Sequence, residues 1–446
     1  MAPQATVRCR SPGDENRGIV AAGPAMSVGE RLTELFSSGG EMTKDGLLVA
    51  DSDMHIFEPA DLWQRWIDPA WRHVAPVGLT EMQRDMRVKV KSHVLLKLGT
   101  VRPLADRTAW KAEHANAYAD GEADRWSPAS QARAMDAEGL DLAVMFPTRG
   151  LFVLGLDLPE IMGPDGLEPA FAAAIARGYN DWLADFCSAH PGRFFGAAMV
   201  APHDVASAVA ETRRAVTELG FKSIFLSPGV VGRRQWHSPV YDPLWAECER
   251  LNVPVAFHGG GQNYLKPDFS LEIFDRLMMW HTFSQPLGIM AVAVSLTAGG
   301  VLERFPKLRV ALLEGNCAWA PWLFYRLDEH YEWLGRMEAP DLTMKPSEYF
   351  LRNCFVSVEA DEELVTQYVD RFGDDNLVFS TDYPHADSKY PRAVECFQRL
   401  PLSRDAQKKI LWDNWSRLYD IPAPVAQAES AAACRSNGWR ADPEVR

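Results

Sequence analysis

Residues 47–59 read LLVADSDMHIFEP, in which a short apolar run, 47–53, gives way to two carboxylates and a histidine. Asp53 and His55 stand two residues apart, so on an extended strand both side chains project to one face and could hold one cation together. A continuous apolar segment of this length reads as a strand buried on both faces, as in a parallel sheet. Seven further runs repeat the pattern: LDLAVMFPT (140–148), RFFGAAMVAP (193–202), FKSIFLSPG (221–229), VPVAFHGGG (253–261), LRVALLEG (308–315), CFVSVEAD (354–361) and NLVFSTDYPH (376–385). Between them lie helical patterns such as PAFAAAIARGYNDWLADFCSAH, DVASAVAETRRAVTELG, SPVYDPLWAECERL and RDAQKKILWDNWSRLY. In the second of these Asp204 is placed to cap the start, and Gly220 lies just past the end.

Eight runs alternating with helices predict a (β/α)8 TIM barrel, an α/β fold. A doubly wound open sheet would show a glycine fingerprint at its first strand-to-helix turn, and none is present. The first two runs are too far apart for one crossover helix, so an insertion is expected over about 58–136. The barrel is expected to span 45–421, flanked by flexible tails at 1–44 and 422–446, with GERLTELF as a short helix in the first. Met26 and Met42 are alternative starts.

Barrel geometry puts chemistry at the C-terminal ends of the strands. There the sequence places Asp51, Asp53 and His55, then His258, Glu314, Glu359 with Asp361, and Asp382 with His385. Taken singly these motifs have ordinary explanations: DSDMH as a capping turn, FHGGG as a tight glycine turn, STDYPH as a helix cap. Together, in strand order, they predict one divalent cation held by Asp53, His55, His258 and Asp382, with nitrogen and oxygen donors that suit Zn²⁺ or Mn²⁺. His281, His385, Trp280 and Trp319 are expected around the substrate. Trp63, Trp66 and Trp71 are placed to pack the insertion down, and Trp182, Trp245, Trp412 and Trp415 fall at helical spacing as core residues.

The charge is −14, from 60 Asp and Glu against 46 Lys and Arg, which argues against nucleic acid or anionic lipid as a partner and leaves a small-molecule substrate. No apolar stretch is long enough to span a membrane and the N-terminus has no secretory signal, so the cytoplasm is the expected location. Seven scattered cysteines without C-x-x-C spacing read as reduced thiols.

From DSDMHIFEPADLW, YNDWLADFCSAHPGRFFGAAMVAP, SPVYDPLWAECERLNVPVAFHGGG, GGVLERFPKLRVALLEGNCAWAPWLFYRLD, NLVFSTDYPHAD and KKILWDNWSRLYDI, in that order, the chain resembles the amidohydrolase superfamily. The branch is the one that contains the aminocarboxymuconate-semialdehyde, resorcylate and carboxyvanillate decarboxylases. The resemblance implies a distorted barrel, a divalent metal, and Asp382 and His258 as the strand-eight aspartate and strand-five histidine; it also allows a homodimer. Two departures stand out. Asp53-x-His55 replaces the H-x-H of the muconate-semialdehyde enzyme and is closer to the Glu-x-His of the resorcylate group. Glu314-Gly315 replaces the usual His-Gly after the sixth strand. That second departure puts hydrolysis first: metal-activated water attacks a C–N, C–O or C–C bond next to a carbonyl, with Asp382 as general base and Glu314 protonating the leaving group. The alternative is non-oxidative decarboxylation of a small aromatic or muconate-like acid, and a third reading is a metal-free binding protein on the same fold.

Overall fold

The computed structural model describes residues 46–81, 84–95, 116–156, 166–232, 234–259 and 277–422. Both tails up to 44 and beyond 422, the GERLTELF segment, the last two glycines' positions in FHGGG, the middle of the insertion and the Trp280 side chain lie outside the described residues. β1 (Ala50–Ile56) is followed by a small antiparallel sheet of β2 (Val77–Gly78), β3 (Val88–Val90) and β4 (His93–Leu95). Then come β5 (Leu142–Pro147), β6 (Phe194–Met199), β7 (Ser223–Leu226), β8 (Val255–His258), β9 (Val310–Leu313), β10 (Cys354–Val358) and β11 (Leu377–Phe379). β1 and β5 to β11 pair in parallel, in chain order, as one eight-stranded sheet. Every residue of these eight strands is buried, as expected of strands covered by helices outside and by one another within.

The sheet curls into a nearly closed (β/α)8 barrel, and its seam is polar. Ser52 Oγ donates to Phe379 O at 2.6 Å, and the His55 amide donates to Tyr383 O at 2.7 Å. The Thr381 amide and hydroxyl both donate to the buried Asp51 carboxylate. From outside, Trp415 Nε1 donates to Asp51 O at 3.0 Å and Tyr419 Oη to Ser52 O at 3.1 Å. Asp51, a strand-end acid in the sequence, is therefore part of the closure.

Helix Pro169–Ser188 packs on β6, and Trp63 donates to its Ile175 carbonyl at 3.2 Å while Trp71 meets Phe171 at 5.2 Å between ring centroids. Helix Val205–Thr217 begins where the sequence indicates, with Asp204 accepting from the Ser207 amide at 2.8 Å. The last helical pattern is not one α-helix: it runs Arg404–Lys408, a π-helical stretch Lys409–Asp413, then Asn414–Tyr419. The wider turn leaves both Trp412 and Trp415 buried, stacked at 5.5 Å.

Glu58, just past β1, ties the start of the insertion to the end of β5. Its carboxylate is fully buried and accepts from the amides of Thr148 (3.1 Å), Arg149 (2.8 Å) and Gly150 (2.9 Å). The buried Arg149 guanidinium returns a bond to Glu58 O and one of 3.0 Å to Leu79 O. Glu58→Ala would strand three buried amides and remove the negative charge beside the buried Arg149 guanidinium, so unfolding by urea should show a loss of about 3–5 kcal/mol. A loss below about 1 kcal/mol would show that water replaces the carboxylate there.

No helix among the described residues is long and apolar enough to cross a membrane. The cysteines among them, Cys187, Cys248, Cys317, Cys354 and Cys396, are free thiols.

Candidate metal centre and its cavity

Strand ends from opposite sides of the seam bring four side chains to one point. β1 supplies Asp53 and His55, β8 supplies His258 at its last residue, and Asp382 comes three residues after β11. His55 Nε2 lies 3.0 Å from His258 Nε2, 3.5 Å from Asp53 Oδ1 and 3.3 Å from Asp382 Oδ1, and His258 Nε2 lies 3.1 Å from Asp53 Oδ1. All four are buried. His55 Nδ1 donates to Pro147 O at 2.6 Å, which fixes the tautomer and leaves the Nε2 lone pair facing the cluster.

This donor set fits a divalent cation. Asp53 Oδ1 and Oδ2 are buried with no hydrogen-bond partner, a costly arrangement for a carboxylate unless a positive charge sits beside it. Burial alone would depress the His55 imidazole, yet the hydrogen bond to Asp382 and the charges of Asp53 and Asp382 carry it up to about 9. The surroundings thus favour positive charge at that spot. Groups with metal-ligand spacing are Asp53, His55 and His258, and His55, Asp382 and His385.

His385 is placed against the cluster: its Nδ1 is 2.7 Å from Asp382 Oδ1 and its ring stacks on His55 at 3.9 Å. Burial pushes Asp382 upward, but the neighbouring His385 and His55 override it and hold this carboxyl well below the usual range. The insertion grips the same loop, Arg84 Nη1 donating to Pro384 O at 2.9 Å and Tyr118 Oη to His385 O at 3.2 Å.

Glu314 sits on the far side of His258, with Oε2 3.4 Å from Nδ1. It stands on the side of that ring away from the His55 contact. Burial and then the charge of Asp382 raise its carboxyl well above the ordinary value. Its backbone is left-handed, φ 51°, as is that of Asp382, φ 54°, a conformation that costs a branched or long side chain about 1 kcal/mol or more. Glu314→Gly is therefore expected to stabilise chelated protein by about 1 kcal/mol and to weaken metal binding by about tenfold or more. Thermal melts with chelator and a metal titration measure both, and a less stable chelated variant would contradict the strain.

A cavity of about 340 Å³ opens beside the cluster, the size for a single-ring molecule. Asp382 and Glu314 line it from the barrel end and His281, Thr282 and Gln285 from one helix, and the loops after β10 and β11 close it. Trp319 does not line it. Its ring meets Phe350 edge-on at 6.1 Å, because the turn after β9 directs it towards the helix Pro346–Asn353. Glu359 and Asp387 do line it, although only the first stands at a strand end.

The family model described as Amidohydrolase matches residues 51–421. The gamma-resorcylate decarboxylase of Rhodococcus jostii (strain RHA1) is 28% identical over 303 residues, covering 65% of this chain and 90% of that protein. The 2-amino-3-carboxymuconate-6-semialdehyde decarboxylase of Dictyostelium discoideum is 24% identical over 262 residues, 58% of this chain and 67% of that one. A dihydroxybenzoic acid decarboxylase structure from Polaromonas sp. JS666, with bound manganese and 2-nitroresorcinol, has a TM-score of 0.58 at 19% identity, covering 84% of this chain and 97% of that chain.

Proposed function

Because the chain belongs to the amidohydrolase family, we propose that it is a divalent-metal carboxy-lyase that removes CO₂ from a small aromatic acid, with Asp382 as the proton donor. The observation that carries this reading is the position of Asp382, which lines the cavity, borders the metal cluster and pairs with His385 at 2.7 Å. Relatives that are decarboxylases support it, and they reverse the order drawn from Glu314, which put hydrolysis first. Glu314 backs His258 on the side away from the cluster and also lines the cavity wall, and in this reading the proton comes from Asp382.

Asp53, His55, His258 and Asp382 would hold a divalent ion, Mn²⁺ or Zn²⁺, which would supply positive charge for the substrate carboxylate. The chain's own residues do the rest. One proton is shared between His385 Nδ1 and Asp382. Asp382 passes it to the ring carbon that bears the carboxylate; the C–C bond to CO₂ then breaks and returns its electron pair to the ring. His385 is recharged from solvent. His55, fixed by Pro147, and His258, backed by Glu314, keep the donors in place while this happens.

The test is a metal-loaded incubation with ortho-hydroxybenzoates and, separately, with amide and lactone panels, scored for CO₂ release and for carbonyl cleavage. CO₂ from a hydroxybenzoate with intact amides and lactones is expected. Amide or lactone cleavage without CO₂ would return hydrolysis to first place.

A further inference from the structure

Helix Ala320–Glu338 packs on the barrel through Leu323 and Phe324, both buried, with the Phe324 ring 4.6 Å from Phe350 and 5.0 Å from Phe372 between centroids. Tyr331 Oη donates to Leu342 O at 2.9 Å. With its barrel side filled in this way, a surface helix ordinarily turns a polar side outward. Here the outer side carries Trp322, 58% exposed, Tyr325, 61%, Trp333, 71%, and Met337, 69%. Among the described residues, every exposed tryptophan and tyrosine stands on this one helix.

The order of the outer side chains selects what covers them. Trp322, Arg326, Glu329 and Trp333, all exposed, follow one another at spacings of four, three and four, the spacing of a seam between paired helices. Read in reverse the stripe is Trp, Glu, Arg, Trp. A second copy laid antiparallel by a two-fold axis therefore sets Trp322 against the partner's Trp333 and Arg326 against the partner's Glu329, and both contacts recur across the axis. Within one chain Arg326 Nη1 already lies 2.8 Å from Glu329 Oε2, so the two copies would share a cluster of four alternating charges between two layers of tryptophan. A parallel copy would instead oppose arginine to arginine and glutamate to glutamate, which is repulsive. Aromatic side chains bury roughly 150–250 Å² each, so at these exposures the rings of two copies would cover roughly 600–900 Å². Met337, Arg326 and Glu329 bring the area towards the about 1,200 Å² at which specific interfaces begin. We propose that this helix face is a two-fold, antiparallel interface with a second copy of the chain.

The experiment is sedimentation velocity of the full chain over a dilution series. A dimer at about 50 µM that dissociates on dilution is expected, since an interface of this size holds in the micromolar range. Trp333→Ala should weaken it by about a hundredfold or more, because the axis counts each lost tryptophan twice. Arg326→Glu and Glu329→Arg should each weaken it by about tenfold or more, with unchanged melting at dilutions where the unaltered chain is also monomeric. An equimolar mixture of those two single variants should form a dimer again, as all four charge contacts are then between opposite signs. That arm needs no variant of the tryptophans and decides if Trp333→Ala does not fold. A chain that stays monomeric at about 100 µM overturns the inference, and shielding of Trp333 from a soluble quencher in such a monomer would assign the cover to another segment of the same chain. A dimer whose strength Trp333→Ala and both charge reversals leave unchanged also overturns it, since its contacts would then lie on another face.

Discussion

With manganese and a saturating ortho-hydroxybenzoate, Asp382→Asn should release CO₂ at least about 10³-fold more slowly than the unaltered enzyme, since a positioned acid contributes about 10²–10⁴-fold. Asparagine has the shape of aspartate and is one of the few residues that accept the left-handed backbone found here, at φ 54°. It cannot receive a proton from His385 and pass it on. It also removes the negative charge that faces both His55 and His385. The fold should stay intact, because the seam of the barrel is closed by Asp51, Ser52 and Thr381 and not by Asp382. Near-ultraviolet circular dichroism should be unchanged while turnover collapses. An asparagine variant with more than about a tenth of the activity would remove Asp382 from its role.

Chelation carries the second large effect. Asp53 and Asp382 both approach His55 Nε2, all three side chains buried, and with no cation the charges of the two carboxylates repel. An ion that binds only the folded chain stabilises it by about 2.7 kcal/mol at a hundredfold excess over its dissociation constant. Melting should therefore drop by roughly 5 °C with chelator and recover on adding manganese, with CO₂ release lost and regained in step. His258→Ala should melt at the same temperature with and without metal. Equal melting of the unaltered protein in chelator and in excess manganese would show that the cluster binds no ion.

The barrel was legible because each of its strands is an apolar run bounded by glycine, proline or a polar end, and each of the eight runs overlaps one strand, the first strand continuing three residues past the run 47–53. Asp53, His55, His258 and Asp382 could be read together because the fold rule converts strand ends into one place. The short strands of the insertion, VG, VKV and HVL, carry no such signal, since two or three residues cannot show a period. The direction of Trp319 depends on a turn with two left-handed residues, Glu314 and Asn316, which residue type does not announce. Neither Glu314 nor Asp387 declares whether it faces an ion, a ligand or a substrate; the distance from His258 Nδ1 decides the first, and the cavity wall the second.

The polar seam has a bearing on how the molecule comes into being. Asp53 and His55 leave the ribosome more than 300 residues before Asp382, and Asp51 waits as long for Thr381, its partner 330 positions away. In a chain that lacks its last strand the closure is absent and Asp382 is missing from the cluster. Contacts so distant in sequence form late. On the proposed reading, an ion held by Asp53, His55, His258 and Asp382 together would report that synthesis and closure are both complete, and a chain cut short before β11 would keep three of the four side chains beside an unpaired strand edge.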